Sequence, residues 1–128
     1  MKFFKDKLYE DITIPAPPKD DMAEVAEVKK LISNRTSKQE KSIADHDQVP
    51  FYAIKKYCED NGMVFHKDEF KDLIQQAVDT INYFKDKYNR KRPIEIDKTL
   101  DTSPSKTNKT PSYPSGHAVQ SRIVAKYV

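Results

Sequence analysis

The chain has 128 residues, 34% of them charged, and a mean hydropathy of −0.84. This length suits one domain with one core, and no run of about 20 apolar residues could span a bilayer. Residues 1–80 carry a net charge of −3, whereas residues 81–128 carry +6. The basic second half favours an anionic partner, which by charge alone could be nucleic acid, a lipid headgroup or a phosphorylated small molecule.

The chain is predicted to begin with an extended arm over residues 1–19. Residues 12–18 contain three prolines in seven positions, which disfavours a helix. The first residues lack the apolar run and small-residue cleavage site of a signal peptide. A cytoplasmic location is therefore the default expectation. Residues 20–128 are predicted to form the front part of a single helical domain.

Three helices are predicted in the first half. Asp20 favours the start of a helix over residues 20–34, where apolar residues recur at helical spacing. A mostly polar helix is expected over residues 37–48, and a short one over residues 50–61, which ends at an Asn-Gly pair. Cys58, the single cysteine, lies within this last apolar pattern. It is expected to act as a small buried hydrophobe.

The clearest pattern predicts one long helix over residues 67–89. Its apolar residues fall at spacings of three and four: Phe70, Leu73, Ile74, Ala77, Val78, Ile81, Phe84 and Tyr88. Residues 98–112 are rich in Ser, Thr, Lys and Pro, which predicts a mobile loop. A last helix is expected from Ser115 onward. Because no strand pattern competes, the predicted fold class is all-α, a helical bundle.

Two cations near the end of the long helix are candidates for anion binding. Lys85 falls inside the apolar arc, next to Ile81. Such a lysine either lies at the edge of the stripe and extends to water, or directs its charge into the domain to hold an anion. Arg92 and Pro93 close the helix in a basic run, which would also suit the negative end of a helix dipole.

The segment before the last helix has the composition of a phosphate-binding turn. Ser115 can cap the helix, and Gly116 has no Cβ to block close approach to the free backbone N–H groups. His117 could donate a proton to a leaving oxygen near neutral pH. The alternative is an ordinary helix cap followed by a surface histidine.

Together these residues match two spaced motifs. Lys85, Arg92 and Pro93 fit K-x(6)-R-P, and residues 114–117 read P-S-G-H. The pair resembles the first two signature motifs of the type 2 phosphatidic acid phosphatase and vanadium haloperoxidase superfamily, and the layout is most similar to its soluble bacterial nonspecific acid phosphatases. The resemblance implies that this is the incomplete front part of that superfamily's helical fold.

The resemblance also implies roles for individual residues. Lys85, Arg92, Ser115 and Gly116 would bind the phosphate oxygens. His117 would be the general acid that protonates the leaving alkoxide, and a different histidine would carry the phosphoryl group. The implied activity is hydrolysis of phosphate monoesters, with a phosphorylated small molecule as substrate and no metal or other cofactor.

The third motif of the superfamily, S-R-x(5)-H-x(3)-D, is missing. Ser121 and Arg122 match its start, but Val128 occupies the histidine position, so Arg122 is interpreted as an ordinary helix residue. His46 and His66 match no motif and are expected at the surface, and the adjacent side chains of residues 45–47 would not converge on a metal ion. We therefore expect the chain to be the front of a longer enzyme, inactive alone.

Two other functions fit the same residues. A haloperoxidase would use the same groups to hold vanadate as a cofactor. A noncatalytic polyanion binder would instead use the basic second half without specificity, with a steep dependence on salt. The sequence predicts neither specific nucleic acid binding nor a membrane span, and it gives no indication of oligomeric state.

Overall fold

The fold is all-α, as predicted. The computed structural model describes residues 8–128, which contain a 3₁₀ turn at Leu8–Asp11, seven α-helices and no β-strand. The helices are α1 Asp21–Ser33, α2 Ser37–Asp47, α3 Tyr52–Asp60, α4 Lys67–Gln76, α5 Val78–Tyr88, α6 Pro93–Ile96 and α7 Gly116–Tyr127. Residues 12–18 form neither helix nor strand. Residues 1–7 lie outside the described residues. They include the start of the predicted arm and of the segment in which a signal peptide was not expected.

The first three helices confirm the sequence prediction, and side-chain caps explain where two of them begin. The carboxylate of Asp20 accepts the Ala23 N–H at 3.0 Å, which satisfies one free donor at the start of α1. At α2, the Thr36 hydroxyl accepts the Gln39 N–H and the Gln39 side chain accepts the Thr36 N–H, at 3.2 and 2.9 Å. This reciprocal pair is a capping box.

The prediction of one continuous helix over residues 67–89 is wrong. The helix is divided into α4 and α5 at Ala77. The carbonyl of Ile74 accepts the Ala77 N–H at 3.2 Å, and it also accepts the side-chain amide of Gln120 at 3.2 Å. A side chain inserted into the helical hydrogen-bond ladder is a recognised cause of such a break. The apolar spacing could not reveal it, because Gln120 lies on α7.

A short helix, α6, follows the basic run and was not predicted. Pro93 occupies its first turn, where a missing N–H costs nothing, and the Glu95 carboxylate accepts the Arg92 N–H at 2.6 Å. The helix packs against α1. Arg92 is the N-cap residue of α6 and follows Asn89, the left-handed C-cap of α5 with a φ of 42°, by three positions.

The hydrophobic core lies where α7 packs against α3 and α4. Phe51, Phe70, Leu73 and Val124 form its buried centre. Cys58 is fully buried, which confirms the expectation of a small hydrophobe. Within residues 8–128, no helix is long and apolar enough to cross a membrane.

Candidate functional site

One cavity brings all five candidate residues together. Lys85, Arg92, Ser115, Gly116 and His117 line a space of about 580 Å³ between α5, α7 and the loop of residues 98–112, here called the cavity loop. The two cations come from the end of α5 and the start of α6, and the other three residues come from the start of α7. The fold therefore joins both motifs in a single site.

Lys85 points into the domain. The residue is only 6% exposed, and its ammonium group donates a hydrogen bond to the carbonyl of Pro111 in the cavity loop. The interpretation of an edge lysine that extends to water is therefore wrong. Burial lowers the pKa of Lys85, and the positive charge of Arg92 lowers it further.

Arg92 is held by the same loop. Its Nε donates to the Thr110 carbonyl at 2.7 Å, and its Nη2 donates to the Thr107 carbonyl at 3.1 Å and to the Thr110 hydroxyl at 3.4 Å. Nη1 has no hydrogen-bond partner among residues 8–128, and Lys85 uses one of three N–H donors. Carbonyl oxygens thus hold both cations while leaving donors for an anion.

The start of α7 offers further donors. Ser115 caps the helix by accepting the Ala118 N–H at 3.2 Å. The N–H groups of Gly116 and His117 have no acceptor in the described part of the chain, and the positive end of the helix dipole lies beside them. A Cβ built on Gly116 would meet only Ile81 and Gln120, at 3.9 and 4.0 Å. Protein packing alone therefore does not require glycine here.

His117 is half-buried and lines the cavity, so it is not a surface histidine. Its Nε2 lies 3.3 Å from the carbonyl oxygen of Asp47 at the end of α2. Because a carbonyl can only accept, Nε2 carries the proton in this arrangement. His46 and His66 are exposed, as predicted, and neither lines the cavity.

Several cavity residues were missed from the sequence. Gln120 follows Gly116 by four positions, a helical spacing that could have indicated a shared face. Asn82 precedes Lys85 by three positions, and this helical spacing could likewise have indicated that the two residues share a face. Asp47 and the cavity loop hydroxyls gave no such signal, because their positions depend on how α2 and the loop pack.

Two other candidates lie apart from the cavity or form no site. Arg122 is exposed on α7 and does not line the cavity. Among residues 8–128, no group of three His, Cys, Asp or Glu side chains is placed to hold a metal ion. Asp47 contributes its backbone carbonyl to His117.

The chain was compared with protein-family models, with curated proteins and with solved structures, and none of them matches. The resemblance to the phosphatase and haloperoxidase superfamily therefore rests on the two motifs.

The lowered pKa of Lys85 predicts a dependence of stability on pH. Between the lowered pKa and the ordinary value of 10.5, the unfolded chain binds more protons than the folded one, so the fold gains stability as pH rises through this window. A Lys85→Met variant lacks this gain. Urea unfolding at a series of alkaline pH values should show that the free energy of unfolding of wild type rises with pH relative to that of Lys85→Met. Lys87→Met, at an exposed position on the same helix, is the control, and an equal response in both variants would contradict the assignment.

Proposed function

We propose that this chain supplies the phosphate-binding groups and the general acid of a phosphoric monoester hydrolase. One observation carries the proposal: two cations, the free N–H groups of a helix start and a histidine, drawn from two separate segments of the sequence, line one cavity. A cavity of this composition suits a dianionic phosphate group.

The proposed chemistry follows from the donors that remain available. Lys85 and Arg92 neutralise the phosphate oxygens, and the N–H groups of Gly116 and His117 complete the cradle, with Ser115 fixing the helix start. Phosphoryl transfer depends mostly on such positioning and charge stabilisation. His117 protonates the departing alkoxide oxygen as the bond between phosphorus and oxygen breaks.

The nucleophile of this mechanism is not among the cavity residues. The sequence has three histidines, and only His117 lines the cavity. We therefore propose that the complete protein adds the histidine that forms the phosphohistidine intermediate, together with the aspartate that orients it. Extending the reading frame past Val128 tests this step. Finding S-R-x(5)-H-x(3)-D would support it, and a stop codon directly after Val128 would exclude it for this gene product.

Calorimetric titration of the 128-residue chain with inorganic phosphate tests the binding step. We expect saturable binding of one phosphate per chain, because the donors converge on a single cavity. Binding should decline only gently with salt, whereas a polyanion binder that releases many counterions would lose affinity steeply. Absence of phosphate binding, combined with salt-sensitive binding of DNA, would contradict the proposal and favour the noncatalytic polyanion binder.

A further inference from the structure

A second arginine holds the cavity loop near its N-terminal end. Arg35, which follows α1, is largely buried, with 16% of its side chain exposed. Its Nη1 donates to the Ser103 hydroxyl at 3.1 Å, and its Nη2 donates to the Asp101 carbonyl at 3.2 Å. Its Nε contacts the carboxylate of Glu40 on α2. All three guanidinium nitrogens are therefore engaged.

Ser103 closes this network. Its hydroxyl accepts from Arg35 and donates to Glu40 Oε1 at 3.1 Å. A planar guanidinium that makes several bonds fixes its partners in both distance and direction. Leu100, the one buried hydrophobic residue of the loop, also holds this end, but the hydroxyl of Ser103 itself bonds only to Arg35 and Glu40 among the described residues. The position of Ser103 therefore depends on Arg35.

Ser103 and its neighbours form one wall of the cavity. Thr102, Ser103 and Ser105 line the cavity, as does Asn108. Lys85 and Arg92 hold the other end of the loop through the carbonyls of residues 107, 110 and 111. The loop is thus anchored twice, by the cations at one end and by Arg35 at the other.

The cavity volume indicates what this wall contacts. At about 580 Å³, the cavity falls within the range of roughly 300 to 1,000 Å³ that holds whole small molecules. A phosphate group bound at Lys85 and Arg92 fills only part of this space, and the rest is open to the organic part of an ester. Thr102 and Asn108 can donate to and accept from hydroxyl groups of such a ligand, whereas Ser103, which donates its O–H to Glu40, can accept from them.

We propose that Arg35 is a positioning residue that sets selectivity for the organic part of a hydroxyl-bearing phosphate ester. It acts through Ser103, by fixing the polar wall of the cavity loop, and does not touch the phosphate. This inference rests on the proposed function, because it requires the phosphate group to bind at Lys85 and Arg92.

Two ligands distinguish the contribution of the wall to binding from that of the phosphate-binding groups. Inorganic phosphate contacts only the phosphate-binding groups, whereas ribose 5-phosphate also contacts the wall. Dissociation constants are measured by calorimetry for wild type and for Arg35→Gln. We expect Arg35→Gln to raise the dissociation constant of ribose 5-phosphate about tenfold, while the dissociation constant of inorganic phosphate changes by less than about twofold. Arg35→Lys should behave like Arg35→Gln, because lysine retains the charge but lacks the fork.

Ser103 provides the second pair of variants, in case Arg35→Gln disturbs folding. Ser103→Ala should also weaken the binding of ribose 5-phosphate without weakening that of inorganic phosphate. Ser103→Thr, which keeps the hydroxyl, should bind ribose 5-phosphate as wild type does. If the variants bind both ligands equally more weakly, or bind both as wild type does, the role of Arg35 is overturned and the proposed function stands. Failure of wild type to bind inorganic phosphate would overturn both.

Discussion

Replacing Arg92 by alanine should weaken the binding of inorganic phosphate by about 1.5 to 3 kcal/mol, roughly 10- to 150-fold. Arg92 lines the cavity, and its Nη1 group is unengaged among the residues that the structure describes. Hydrogen bonds between charged partners are stronger than neutral ones, and the unengaged Nη1 group has two N–H donors to offer phosphate. Calorimetric titration of Arg92→Ala with inorganic phosphate measures the loss.

Arg122→Ala is the matched control for this experiment. Both variants lose one positive charge, but Arg122 is exposed on α7 and lies outside the cavity. We expect Arg122→Ala to change phosphate affinity by less than about twofold. Arg92→Lys should fall between wild type and Arg92→Ala, because an ammonium group supplies charge without the planar fork. Equal losses for Arg92→Ala and Arg122→Ala would show that only net charge matters and would contradict the site.

Replacing Phe51 by alanine should lower the free energy of unfolding by about 3 to 5 kcal/mol. Phe51 is 1% exposed at the centre of the core, and its ring lies 5.3 Å from that of Phe65. Removing the ring loses its burial and leaves a space that α3, α4 and α7 cannot fully close. Against a typical total stability of about 5 to 15 kcal/mol, the change is large. Urea unfolding should show a lower midpoint with little change in slope.

Tyr57→Ala provides the control for core burial. Tyr57 is an aromatic residue of α3 that is 59% exposed. Its replacement should change the free energy of unfolding by about 0.5 kcal/mol or less. A loss for Phe51→Ala as small as that for Tyr57→Ala would mean that the packing of α3 against α7 is not formed in solution.

The candidate site was largely accessible from the sequence because its residues lie at helix ends with distinctive local chemistry. Capping by Ser115 and the place of Lys85 in an apolar arc are both local patterns. Each depends on residues within about one or two helical turns. The roles of these residues in phosphate binding and acid catalysis stay predictions that the titrations test.

The bond between His117 and Asp47 was not accessible in this way. It joins residues 70 positions apart, and the contact of Arg35 with Ser103 joins residues 68 apart. No periodic or capping signal connects such positions. Their proximity results from the packing of α2 and the cavity loop against the rest of the domain.

The sequence by itself determined the all-α class, the starts of α1, α2 and α7, and the burial of Cys58, because caps and apolar spacing act over a few residues. Only the tertiary structure decided that Lys85 turns inward to Pro111 and that the helix predicted over residues 67–89 breaks at Ala77. In both cases the partner comes from a distant segment: the cavity loop for Lys85, and Gln120 for the helix break. Hydrogen-bond partners brought together by packing can override a local preference, and the local pattern does not contain them.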